Sequence, residues 1–413
     1  MKTGLICIAL GAVWCLSGVN VLAQPYYWYN VAGLPGYYNF GWVDGTNSDA
    51  RLGQPAGIAA DDNGDLYVAD YRTGVLRKLT HMGTDWVVTT IAGSTNSISY
   101  DVDGTNSQAS FRNPQGVALD RGGNIYVADT AIRKVSKVGT NYVVTTIPGN
   151  FNLPESIAID EATNLYIADY NHATIRKVSP VGTNWVTTTI AGRTGVAGTA
   201  DGTNTDARFN LPSGIARDSM GNLYVTDYFN GTVRLITPVG TNWVVSTIAG
   251  LATNTFGTVD GTNSDARFNA PEDVKLDSAG NLFVAEFYSI RKIVHSGTNW
   301  IVTTLGENNM AVNFGQPNAL CFDKFGNLFV ADTYQNVIRL GQPAFALQAA
   351  VSADQVVLSW PAAATNYFLE TASRLDPQSG WTPLTNGVTL SQDSFVLTNA
   401  ITSPAAFFRL HRP

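Results

Sequence analysis

Short apolar runs separated by Gly-, Asp- and Asn-rich turns fill most of the chain, which is the pattern of short strands rather than long helices. The pattern repeats. A proline, a β-like run, a turn and a run of the type Asn-Leu-Tyr-Val-Ala-Asp recur six times, with the prolines at Pro55, Pro114, Pro154, Pro212, Pro271 and Pro317. The carboxylates that close the second run are Asp70, Asp129, Asp169, Asp227, Glu286 and Asp332, and both sets are spaced by 59, 40, 58, 59 and 46 residues. Each unit is therefore rigid, and all length variation falls in one linker. The fourth copy predicts four strands: Gly214–Ala216, Asn222–Val225, Thr232–Ile236 and Trp243–Ile248, with Asp218-Ser219-Met220-Gly221 as a tight first turn. Four antiparallel strands cannot bury both faces alone, so neighbouring sheets must stack. The chain ends decide how. Third strands number six, but only five fourth strands follow one, beginning at Trp86, Tyr142, Trp185, Trp243 and Trp300. The sixth is predicted at Trp28–Gly33, whose Val-Ala-Gly ending matches the others; pairing with residues 336–340 would close a ring and remove its open edge.

Copy three reads Leu165-Tyr166-Ile167-Ala168-Asp169-Tyr170-Asn171-His172 and then Ile175-Arg176-Lys177-Val178. These units resemble the NHL repeat family. The resemblance spans residues 25–341 and implies an all-β fold, a six-bladed β-propeller closed by the N-terminal strand. The departures are Glu286 for Asp, Asp65 for the turn Asn, Pro148 in a fourth strand, and shortened second-to-third turns in copies two and five.

Outside the repeats the chain changes character. Lys2, the apolar run Gly4–Val19 and Val21-Leu22-Ala23 read as a secretory signal peptide over residues 1–23, which makes the mature protein secreted, periplasmic or displayed at the cell surface. The propeller is assigned to residues 24–341. Residues 342–413 carry few charges and short alternating runs around Trp360, the pattern of a small β-sandwich-like module that loosely resembles fibronectin type III. No later stretch is apolar for long enough to span a bilayer. Lys plus Arg number 25 against 32 Asp plus Glu, a net charge of −7, which disfavours nucleic acid as a partner. Removing the signal leaves Cys321 as the one cysteine, so packing rather than disulfides must hold the fold, and a buried hydrophobe is its expected role.

The repeated polar residues read as structural. Each closing carboxylate has an Arg on the third strand: Arg77, Arg133, Arg176, Arg234, Arg291 and Arg339. Six copies argue for a clasp, because a catalytic residue is needed once. Four linkers carry Asp-Gly-Thr-Asn, from Asp44, Asp103, Asp201 and Asp260; they are expected to be turns that pin a crossover, with calcium binding as the alternative. The Trp residues that open fourth strands are expected to pack between blades, the alternative being an exposed belt. His81, His172, His295 and His411 are too scattered for a three-His metal site.

The chemistry is expected where the repeat varies. Residues after the repeat prolines should ring the channel mouth, and Gln115, Glu155, Ser156, Ser213 and Asn318 are the candidate ligand-binding set. Lactonase-like six-bladed enzymes, a more distant resemblance, bind calcium through Glu, Asn and Asp at that mouth. Glu155, Glu272, Asp273 and Asn318 are therefore the candidate metal set, with Ca2+ as the cofactor it implies. The expected function is a monomeric binding or scaffold protein for a protein, peptide or glycan; the alternative is a calcium-dependent lactonase, esterase or lyase-like enzyme.

Overall fold

The computed structural model describes residues 5–9, 12–15, 26–94, 100–252, 256–305, 314–343, 348–352, 355–361, 368–372, 382–384, 387–391, 394–400 and 405–411. It divides into two compact units, Pro25–Gln342 and a second made of Met1–Gln24 with Pro343–Pro413.

The larger unit holds six antiparallel sheets. The fourth copy runs Pro212–Arg217, Leu223–Asp227, Thr232–Val239 and Asn242–Ala249, with Val225 opposite Arg234. Second strands such as Leu223–Asp227 are buried along their whole length, because a sheet lies against each face. The first strands pack in a cycle: Pro55–Ala60, Val117–Leu119, Pro154–Ile159, Pro212–Arg217, Asp273–Leu276, Pro317–Phe322 and back to Pro55–Ala60. Each sheet is open, and it is the ring of sheets that closes.

Closure is made by the two ends of the unit. The sixth sheet orders Pro317–Phe322, Leu328–Asp332, Val337–Pro343 and Tyr26–Ala32. Arg339 donates to Asn30 Oδ1 at 3.0 Å, and the Trp28 ring covers Gly341, leaving no room for a Cβ there. Trp28 also meets Phe314 edge-on at 5.0 Å.

The Asp-Gly-Thr-Asn linkers do more than turn. Each lays a two-residue strand on the outer strand of the sheet that follows, as Gly45–Thr46 does on Asp85–Gly93 and Gly202–Thr203 on Asn242–Ala249. The next residues, Asn47, Asn106, Asn204 and Asn263, sit at φ 49, 53, 51 and 51°, a left-handed conformation that Asn tolerates. Their Oδ1 atoms accept the N–H of Trp86, Tyr142, Trp243 and Trp300, each at 2.7 Å. The Trp rings pack between sheets: Trp86 on Phe329, Trp185 on Tyr126, Trp243 on Tyr166 and Trp300 on Tyr224, edge-on at 5.5 to 6.2 Å. Where Pro148 stands, the strand stops at Ile147, for want of a ladder N–H. The odd turn residue Asp65 pairs with Lys78 at 2.6 Å.

The smaller unit has two antiparallel sheets. One orders Gln348–Ser352, Gln355–Pro361, Ser394–Ala400 and Val388–Ser391; the other orders Ala12–Cys15, Leu5–Ala9, Ala405–His411, Phe368–Ala372 and Thr382–Pro383. Of the segment read as a leader, the described strands Leu5–Ala9 and Ala12–Cys15 pair with each other at a sheet edge, and Leu5–Ala9 pairs with Ala405–His411. Trp360, Leu358, Leu369 and Leu397 are buried. No described helix is long and apolar enough to cross a membrane.

Candidate functional site at the channel mouth

Local geometry aims the post-proline side chains. In four copies the register slips just after the proline, between Pro55 and Gly57, Pro154 and Ser156, Pro212 and Ile215, and Pro317 and Ala319. Such bulges redirect a side chain out of the sheet. The residue before the proline is left-handed in four copies, including bulky Leu153 at φ 57° and Leu211 at φ 59°. Their carbonyls accept the N–H of Tyr170 and Tyr228, which ties the second-to-third turns to the loops leading into the first strands and puts both on one face.

Two tiers of side chains result. The first holds Ala56, Gln115, Glu155, Ser213, Glu272 and Asn318; the second holds Gly57, Gly116, Ser156, Asp273 and Ala319. They surround a cavity of about 30 Å³, room for one or two waters, which Lys275 also lines. Gly57 and Gly116 are required here, since a Cβ on either would strike the backbone carbonyl of Gln115 or Glu155 on the next sheet. All candidate residues read from the sequence line this one cavity. Lys275 and the Ala56 and Gly57 side were missed, because neither resembles a site residue in the repeat pattern.

The individual environments differ sharply. Ser213 is fully engaged, bonded to Thr226 Oγ1 at 3.0 Å and to the Pro271 carbonyl at 2.9 Å. Asp273 is 4% exposed, takes the Lys275 ammonium at 2.6 Å and accepts the Leu320 N–H at 2.9 Å. Glu272 accepts one bond, from Gln316 Nε2 at 3.0 Å. Glu155 has neither hydrogen bond nor ion pair among the described residues. Burial lifts its carboxyl well above the usual range and the neighbouring Glu272 lifts it further. Burial also raises Glu272, to about 7, against the pull of Gln316.

Two tyrosines lie near enough to this pair to feel its charge. Tyr170 and Tyr228 meet edge-on at 6.0 Å, and burial together with Glu155 and Glu272 raises both phenols. They occupy the position directly after the closing carboxylate, where the six copies read Tyr71, Thr130, Tyr170, Tyr228, Phe287 and Thr333. That position was open to inspection and marks a rim the sequence reading did not single out.

The clasps form in all six copies. The closing carboxylates lie 2.7 to 3.6 Å from their arginines. The linker aspartates are the second partner of four of these arginines: Asp44, Asp103, Asp201 and Asp260 reach Arg77, Arg133, Arg234 and Arg291 at 2.8 to 2.9 Å. A calcium ion there would face a buried guanidinium, so these loops do not fit one. Copy three lacks this linker, and His172 instead meets Asp169 at 2.8 Å.

The mouth does not fit calcium either. Lys275 already neutralises Asp273, and among the described residues no three His, Cys, Asp or Glu groups are placed to hold a metal ion. Glu155, Glu272, Asp273 and Asn318 share the cavity without forming a ligand set. Cys321 is buried, its thiol pushed up by burial, and plays no part in the mouth.

A cycle of four-stranded meanders around a polar channel defines this unit as a β-propeller. The NHL repeat family model matches residues 52–78, 111–133 and 209–234. Those stretches fall on copies one, two and four; copy three, which the sequence reading set nearest the family, is not among them. An auxiliary nutrient binding protein from Bacteroides ovatus ATCC 8483 is similar in structure, with a TM-score of 0.60, 14% identity, and 78% of each chain covered. So is a protein of unknown function from Bacteroides thetaiotaomicron VPI-5482, with a TM-score of 0.57, 20% identity, and 77% of this chain and 76% of that one covered. At such identity the likeness is one of fold. No curated protein matches the chain.

Proposed function

We propose that this protein is an exported binding or scaffold protein whose channel mouth takes up part of a protein, peptide or glycan partner. The observation that carries the reading is the two-tier lining. Positions that repeat everywhere else in the units diverge here, and the divergent side chains are polar and gather on one cavity. Export rests on the leader pattern of residues 1–23. That a protein of similar fold is described as binding a nutrient is in keeping with this reading. The fibronectin type III-like character of residues 342–413 is part of the proposal, as a spacer or attachment module. Against a calcium-dependent lactonase, esterase or lyase stands Lys275, which occupies with its own charge the partner a cation would need.

Labelled protein on peptide and glycan arrays tests the reading. The wild type is expected to mark at least one ligand class, and Gln115→Trp, which fills the mouth from a half-buried position, is expected to lose it with its melting temperature unchanged. Silent arrays for the wild type, or full retention by Gln115→Trp, would overturn it.

A further inference from the structure

We infer that the channel mouth receives a primary alkylammonium group, the charged end of a lysine side chain or of a polyamine, held between Glu155 and Glu272 close to Tyr170 and Tyr228. This deepens the binding reading above and rests on it.

The argument is one of charge compensation. Burying an acid without a cation or a full set of donors is costly, and elsewhere the half-buried and buried acids of the repeats have one or the other, as the first-turn aspartates do with backbone N–H groups and Asn amides. All six closing carboxylates have an arginine, four linker aspartates share those arginines, and Asp273 has Lys275. Among the acids that line the mouth, Glu155 and Glu272 have neither a cation nor a set of donors. One has no partner among the described residues and the other has a single neutral amide. Beside them Ser156 is 8% exposed, lines the same cavity, and its hydroxyl has no hydrogen-bond partner among the described residues. These are acceptors and a hydroxyl waiting for a donor that carries charge.

Three ligand classes can be compared against that demand. A calcium ion would have to displace Lys275 from Asp273, and among the described residues no three His, Cys, Asp or Glu groups are placed to hold one. A neutral sugar would leave the acidic pair uncompensated. A primary ammonium brings one positive charge and three N–H donors on a slim stem, which suits an opening of about 30 Å³ better than a broad guanidinium. The Tyr170 and Tyr228 rings add a cation–π surface at the rim, and the net charge of −7 attracts cations to the protein.

Protons enter the balance. Glu155 faces Glu272 and Tyr170; Glu272 faces Asp273, Gln316, Tyr170 and Tyr228; Tyr228 in turn faces Tyr334; and Lys275 remains with Asp273. Without ligand the acidic pair holds a proton near neutrality, and an entering ammonium displaces it to solvent. Affinity therefore rises as pH rises through 7, since the amine stays charged throughout that range.

Isothermal titration of the full chain with n-pentylamine, cadaverine and Nα-acetyl-lysine amide, in buffers of different ionisation enthalpy, reads both binding and proton release. All three are expected to bind, with protons released and affinity climbing about tenfold from about pH 6 to about pH 8, while n-pentanol and glucose give no heat. Tighter binding of the lysine amide assigns a peptide source, and tighter binding of cadaverine a polyamine. Glu155→Gln and Glu272→Gln, which keep shape and remove charge, should each weaken the amines about tenfold or more. Absence of heat at about 10 mM amine and pH 8, or unchanged affinity in folded Gln variants, overturns the assignment. Should either variant fail to fold, absence of proton release from the wild type overturns it as well. If amines fail while array ligands sensitive to Gln115→Trp persist, the ammonium assignment falls and the binding reading stands.

Discussion

Replacing Arg234 by Met puts the clasp to the test. Arg234 is 1% exposed and donates to Asp227, Asp201 and the carbonyls of Arg208 and Ala200 at 2.8 to 3.0 Å. Its guanidinium also lies 5.0 Å from the centre of the Phe209 ring. Met fills much of the same volume but strands Asp227 in the core with only the Asn210 N–H and the Asn230 amide as donors. Breaking a buried pair in this way costs about 3–5 kcal/mol. Unfolding roughly 320 residues carries an entropy of about 0.7 kcal/mol/K, so the melting temperature should fall by about 4–7 °C. Asp201, half exposed, contributes less, and Asp201→Ala should cost about 1 kcal/mol, or 1–2 °C. The double change Arg234→Met with Asp227→Leu removes both charges and should recover most of the loss. Scanning calorimetry with the two transitions of the chain resolved measures all three. A drop below about 1 °C for Arg234→Met would refute the structural reading of the repeated carboxylates. So would a double variant that melts lower than the single one.

Two other outcomes follow from the mouth. Glu155 and Glu272 bind their protons more tightly folded than unfolded, so their contribution to stability is complete below the ordinary glutamate value of 4.5; the share of Glu272 is lost as pH rises through about 7, and that of Glu155 is lost with rising pH in the same sense. The propeller transition should fall by a few degrees between about pH 5 and pH 8, and Glu272→Gln should flatten that slope; a slope unchanged by the substitution contradicts the assignment. Because Lys275 holds Asp273 and the linker aspartates hold arginines, millimolar calcium followed by chelator should leave the melt unmoved with no calcium by elemental analysis; a rise of several degrees would restore the metal site to consideration.

Much of this protein is legible along the chain because a repeat is a local code read six times. The strand pattern, the Asp or Glu to Arg clasps and the pairing of residues near Trp28 with those near Val337 follow from spacing and from counting strands. The candidate site was legible for the same reason in reverse, since Glu155, Glu272 and Asn318 break a pattern that the rest of the unit keeps. Charge pairing was not legible. Nothing in the order of residues says that Asp201 returns to Arg234, or that Glu155 and Glu272 meet at the mouth with no cation between them. Those outcomes depend on which side chains the folded strands and linkers bring within about 3 Å of one another, and electrostatic energy at that range is decided by position and burial rather than by residue type. The periodic residues determine the ring because each acts on its neighbour, whereas the chemistry of the mouth is a property of six strands meeting at once.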